Sequence, residues 1–167
     1  HLSLRRQRQM CIRDRLTDRL LQLSRIKAMQ QNQPMTTIDL VGLVREACLL
    51  RYPQARSRQI DLGYEGDECC MIRGDALLLA ELCSNLLDNA IKYTPEGGTI
   101  TASVREGCLH IEDSGAGIVE SERQQVLQPF YRLENTHQIS GTGLGLALVK
   151  DIARWHGSQI RLSRSAT

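Results

Sequence analysis

No apolar run in this 167-residue chain approaches the roughly 18 residues that carry a helix across a bilayer, so no stretch reads as a membrane-spanning helix. Paired metal-ligand spacing is also lacking. The six cysteines form no Cys-x-x-Cys unit, which argues against zinc. Five of them, Cys48, Cys69, Cys70, Cys83 and Cys108, lie in apolar contexts and read as small buried hydrophobes in a reducing compartment. Neither internal repeats nor low-complexity tracts are present. Charge of one sign is lacking as well, with 21 basic against 19 acidic side chains. Residues 5–14 resemble the in-frame translation of a transposon-type sequencing adapter, so residues 1–15 are set aside as an extension foreign to the fold. They hold five Arg and one Asp; the remainder carries 16 basic and 18 acidic residues, a net charge of −2. The apparent basicity therefore carries no nucleic-acid message.

What remains is long enough for one domain with its own core. An apolar stripe of Leu16, Leu20, Leu21, Leu23 and Ile26 predicts a helix, and the polar residues 30–34 read as a linker. Beyond it the patterns predict a strand over 36–40, a helix over 41–55, and strands over 59–64 and 70–73. Asp75 is placed to cap a long helix. A hairpin over 98–105 and 108–113 turns at Glu106-Gly107, followed by a short helix over 120–127, a loop over 128–140, a helix over 143–156 and a strand over 159–163. This order predicts an α+β, two-layer sandwich with helices on one face of a mixed sheet, preceded by an isolated helix.

The long helix carries the most informative pattern. Glu81, Asn85, Asn89 and Lys92, spaced by 4, 4 and 3, form a polar stripe along one side. The intervening Leu78, Leu79, Leu82, Leu86, Leu87, Ala90 and Ile91 are apolar. A solvated helix face is the ordinary explanation for such a stripe. Asn is a poor helix former, however, and solvated faces favour Lys, Glu, Arg and Gln. Two amides beside a Lys suit ligands better. An amide oxygen is a hard donor for Mg²⁺ and an ammonium is a point charge for phosphate.

Two glycine-rich segments follow: Asp113-Ser114-Gly115-Ala116-Gly117 after a strand-like run, and Gly141-Thr142-Gly143-Leu144-Gly145 opening a helical pattern. Each alone is weak, since Asp-Ser-Gly is a common turn and glycines commonly precede helices. The second is not a dinucleotide fingerprint, because its spacing is G-x-G-x-G and no strand precedes it. Their order after the Asn stripe, with Phe130-Tyr131-Arg132 between them, is specific. With these four motifs the chain resembles the catalytic ATP-binding domain of bacterial sensor histidine kinases, from about residue 16 to its end, within the wider group that includes gyrase, a mismatch-repair ATPase and an ATP-driven chaperone.

The resemblance implies ATP and Mg²⁺ as cofactors. It assigns Asn89 to the metal, Asn85 to the metal or the phosphates, Lys92 to a phosphate and Tyr93 to the base or ribose. It assigns Asp113 to the adenine amino group, with Gly115, Gly117 and Ile118 lining the ring. Gly141, Gly143 and Gly145 would offer phosphate their backbone N–H groups at a helix N-terminus, with Thr142 and Leu144 also in the ATP-binding set. Glu81, Lys92 and Arg132 are the catalytic candidates, Arg132 meeting the γ-phosphate; Phe130 can be a hydrophobic plug for a lid over 118–140. Residues 16–33 resemble the remnant of the second dimerisation-hairpin helix with its linker, and 34–167 a catalytic domain lacking its final strand. The first hairpin helix, with the phosphoacceptor histidine, is expected to be missing, for none of His1, His110, His137 and His156 has that context. His156 precedes a Gly at a helix end, where an imidazole can serve the last carbonyls. Implied partners are the parent's own dimerisation domain, a second copy in the full-length parent and a response regulator, at the cytoplasmic side of the bacterial inner membrane, with no nucleic acid. Three readings stay open: a histidine-kinase catalytic domain, an anti-sigma-type serine kinase or other ATPase of the group, and a nucleotide-binding module made inactive by truncation.

Overall fold

The structure, a computed structural model, describes Ser24, residues 35–133 and residues 141–164. Residues 1–15 and, Ser24 apart, the expected leading helix and linker lie outside the described residues. β1 (Thr36–Asp39) runs into α1 (Leu40–Ser57), and β2 (Asp61–Gly66) and β3 (Met71–Gly74) lead to α2 (Ala76–Tyr93). β4 (Thr99–Arg105) and β5 (Cys108–Asp113) follow, then two short 3₁₀ turns, Glu120–Glu122 and Gln125–Leu127, and finally α3 (Gly145–Trp155). β2 pairs parallel with β4 and β4 antiparallel with β5, in the order β2-β4-β5, while β1 and β3 form a separate antiparallel pair. The β4–β5 hairpin turns at Glu106 and Gly107, both at positive φ (52° and 76°), which matches the right-handed strand twist.

The helices pack on one face of the mixed sheet because the apolar positions converge there. Along β4, Ile100, Ala102 and Val104 point at the helices and are buried. Leu78, Leu82, Leu87 and Ile91 of α2 and Leu148, Val149 and Ile152 of α3 complete the same core. Truncating a fully buried side chain such as Leu87 to Ala costs about 2–5 kcal/mol. Both long helices start at an aspartate. Asp39 Oδ1 accepts from the Val41 N–H at 3.1 Å and from the Cys70 N–H at 3.0 Å, tying the start of α1 to the approach to β3. Asp75 Oδ1 accepts from the N–H groups of Leu77 and Leu78 at 2.9 and 3.1 Å. Among the described residues no helix is long and apolar enough to cross a membrane.

Three expectations need correction. Residues 120–127 make two 3₁₀ turns instead of a helix, because so short and polar a segment anchors only Val126 in the interior. Residues 159–163 pair with no described strand; Ile160 packs against the core without a ladder. Cys69 and Cys108 are exposed, one in the β2–β3 connection and one at the first position of β5, while Cys48 and Cys83 are buried as expected.

Candidate functional site

The polar stripe of α2 lies beside the start of α3. The Asn85 side chain, buried within the helix pair, directs its Nδ2 to the Glu81 carbonyl at 2.8 Å and to Glu81 Oε1 at 2.9 Å. Both partners are acceptors, so the atom between them is the amide nitrogen and the oxygen points the other way. That oxygen faces Gly145: a Cβ on Gly145 would stand 3.4 Å from Asn85 Oδ1 and 3.5 Å from Asn89 Nδ2. The two amides therefore meet the N-terminal end of α3, where unpaired backbone N–H groups favour an anion.

One turn further along α2, the Lys92 ammonium lies against Gly141 and 4.7 Å from the centroid of the Tyr93 ring. Gly143, with φ of 72°, accepts through its carbonyl from the Phe130 N–H at 2.9 Å. A Cβ there would come within 2.8 to 2.9 Å of the backbone of Phe130 and Tyr131, so only glycine fits. This backbone seam holds the Phe130-Tyr131-Arg132 segment on the second glycine segment. Phe130 is 53% exposed, so among the described residues it does not sit in the core as a hydrophobic plug. The Tyr131 hydroxyl donates to Glu122 Oε1 at 3.2 Å and Arg123 Nε donates to the Ile118 carbonyl at 3.2 Å, bracing the two 3₁₀ turns.

At the other edge Asp113 Oδ1 accepts from the Gly115 N–H at 2.8 Å, an Asx turn that fixes the exposed carboxylate at the end of β5. A Cβ on Gly115 would lie 2.8 Å from the Tyr93 carbonyl, so the first glycine segment is pressed on the end of α2. Ser114 Oγ accepts from the Thr99 N–H at 2.9 Å and fastens the loop to β4.

The fold thus gathers the expected residues into three adjoining groups: Glu81, Asn85, Asn89 and Gly145; Lys92, Tyr93, Gly141 and Thr142; and Tyr93, Asp113 and Gly115. Gly117 takes a left-handed φ of 72° in open space, and Ile118 is half-buried after it. Leu144 is buried at the start of α3. Arg132 is half-buried beside Tyr131. Arg58 escaped sequence reading. Its guanidinium donates to the carbonyl of Ile91 and, at 3.0 Å, to that of Thr94, satisfying the last turn of α2. Its partners lie more than thirty residues away, so no local pattern announces it.

The architecture and the triad of an Asn-bearing helix with two glycine segments define a nucleotide-binding fold of ATPase type. The chain belongs to the histidine kinase-, DNA gyrase B- and HSP90-like ATPase family, whose profile matches residues 74–167. Over 153 residues it is 33% identical to the sensor protein QseC of Salmonella typhi, covering 91% of this chain and 34% of that protein. It is 31% identical to the swarming motility regulation sensor protein RssA of Serratia marcescens, covering 89% and 32%. Among solved structures it superposes on a mycobacterial sensor histidine kinase, MprB, with a TM-score of 0.64 and 30% identity over 74% of this chain and 80% of that one. The chain therefore spans about a third of the curated relatives it matches. ATP is the nucleotide of this family.

Proposed function

We propose that this domain binds ATP with Mg²⁺ and presents the γ-phosphoryl group to a histidine on a dimerisation domain, from which it passes to a response regulator. The observation that carries the reading is the meeting of the Asn85 and Asn89 amides with the start of α3 at Gly145, with Lys92 beside Gly141. The donor set fits Mg²⁺, a hard cation that takes few protein oxygens and keeps phosphates and waters. Asn89, aided by Asn85, would hold it, and its charge would offset that of the phosphates. Lys92 and the N–H groups of Gly143, Leu144 and Gly145 bind phosphate oxygens, and Thr142 lines their approach. Asp113 accepts from the adenine amino group while Gly115, Gly117, Ile118 and Tyr93 line the base. Glu81 orients Asn85 and is the group able to take a proton from an acceptor, and Arg132 meets the γ-phosphate. Phosphoryl transfer asks the protein mainly for positioning and charge, which such a set supplies.

Residues 16–33 are proposed as the end of a dimerisation hairpin joined to this domain in a membrane-attached, dimeric parent, and residues 1–15 as foreign to the fold. The test is incubation of the chain with γ-labelled ATP and a separately supplied dimerisation domain. Acid-labile phosphohistidine on the added domain alone is expected. Phosphoserine on an added substrate, or hydrolysis with no transfer, would favour the serine kinase or the plain ATPase instead.

A further inference from the structure

The imidazole of His156, just past the C-terminus of α3, sits between two backbone groups whose roles cannot be exchanged. The Asp75 N–H can only donate, and its nitrogen lies 3.0 Å from Nε2; the Ile152 carbonyl can only accept, and lies 2.8 Å from Nδ1. The ring is therefore neutral, with its proton on Nδ1 and its lone pair on Nε2. Its Cδ2–Nε2 edge lies against Gly74, where a Cβ would stand 3.1 Å from His156 Cδ2, 3.2 Å from Nε2 and 2.7 Å from Leu79 Cδ1.

Asp75 is the N-cap of α2, the helix that carries Asn85 and Asn89. In a capping box, a Glu or Gln three residues into the helix reaches back to the cap's own N–H. Here that position is Leu78, which has no acceptor. His156 supplies the acceptor from another helix, so the last turn of α3 completes the first turn of α2. The same two helices meet again further along α2 and at the opposite end of α3, where Gly145 faces Asn85 and Asn89. Between those ends lie eleven residues of α3, about 16 Å.

We propose that His156 is a positioning residue for nucleotide binding: through Asp75 it fixes the placement of α3 against α2, and with it the distance from the Gly141–Gly145 backbone to the two asparagines. The inference rests on the proposed ATP site, and the variants separate the two links. In His156→Gln the terminal amide oxygen can replace Nε2 as acceptor for Asp75. His156→Asn reaches only as far as Nδ1 and keeps only the donor to Ile152. His156→Phe keeps the ring and neither bond.

The experiment is calorimetric titration of Mg·ATP into the whole chain and these variants, with ¹⁵N NMR of the wild-type imidazole. Expected are a pyridine-like Nε2 and a pyrrole-like Nδ1 in the wild type, affinity within about threefold in His156→Gln, and losses of about tenfold in His156→Asn and His156→Phe. If the last two fail to fold, Gly74→Ala, which pushes the ring from its seat, should weaken ATP by several-fold. Wild-type ATP affinity in folded Asn, Phe or Gly74→Ala variants would overturn the positioning role while leaving the proposed function intact. A protonated Nε2 would overturn the hydrogen-bond assignment itself. Absence of ATP binding by the wild type would overturn the proposed function and the inference built on it.

Discussion

The side-chain nitrogen of Asn85 stands 2.9 Å from Oε1 of Glu81, one helical turn earlier, and is held there by a second bond to the Glu81 carbonyl at 2.8 Å. That pair decides which atom of Asn85 faces the start of α3. It also separates two roles of Glu81. Glu81→Gln keeps an acceptor for Asn85, so ATP affinity should stay within about threefold. It cannot take a proton, and loss of a general base slows transfer by about a hundredfold or more. Titration calorimetry together with single-turnover phosphorylation of an added dimerisation domain separates the two; unchanged transfer would leave Glu81 an orienting residue only.

Asn89→Asp should disturb Mg²⁺-dependent binding more than folding. Asn89 is half-buried at the edge of α2 and no core packing depends on its amide. The new charge lies beside the proposed phosphate positions, so the Mg²⁺ concentration needed for half-saturation with ATP should shift at least severalfold while the thermal midpoint moves little. A collapse of the midpoint with normal Mg·ATP binding in the folded fraction would make Asn89 structural.

Asp39 predicts an acid-sensitive link between α1 and β3. The Cys70 N–H, followed by smaller contributions from Gly42 and Val41, holds its carboxyl below the ordinary value of 3.8. A carboxyl lowered by folding contributes stability that is present above its unfolded value and is lost as pH falls through the folded one. Denaturant midpoints should therefore decline below about pH 4, and Asp39→Asn, already less stable at neutral pH, should decline less over that window. Parallel curves for the two proteins would remove Asp39 from the account of acid unfolding.

Cysteine reactivity should divide by position. Burial between α1 and α2, with Cys48 close by, pushes the Cys83 thiol up to about 12, and burial raises that of Cys48. Neither forms thiolate at neutral pH in the folded protein. Exposed Cys69 and Cys108 should be alkylated before Cys48 and Cys83, which react only on unfolding. Pulse alkylation read by peptide mass spectrometry checks the order; early labelling of Cys83 would contradict the packing of α1 on α2.

The elements with strong periodicity are legible in the sequence. The α2 stripe, the Asp75 cap and the Glu106-Gly107 hairpin follow from local chemistry, and each boundary lies within about two residues of its pattern. The three motif groups also converge as their order implied. What sequence could not supply were relations between distant segments. Arg58 binding the end of α2, Gly143 seating the backbone of Phe130, and His156 completing the cap at Asp75 each join residues that local periodicity treats as strangers. The failed helix over 120–127 has the same origin. Its pattern is helical, but two short turns braced by Arg123 and Tyr131 satisfy the segment without a core face to bury.

The most direct test of the site is calorimetric titration of the chain with Mg·ATP and Mg·GTP, alongside Asp113→Asn. Asp113 is fixed by its bond to the Gly115 N–H, beside the Tyr93 carbonyl, with its carboxylate exposed at the mouth of the first glycine segment. In the proposed function it accepts from an amino group that adenine carries and guanine lacks at that position. Loss of such a recognition bond costs about 1–3 kcal/mol, or roughly five- to a hundredfold in affinity. Saturable one-site binding of ATP is predicted, with GTP weaker and Asp113→Asn weakened by at least severalfold. Equal affinity for the two nucleotides, or an Asp113→Asn variant indistinguishable from the wild type, would contradict the reading.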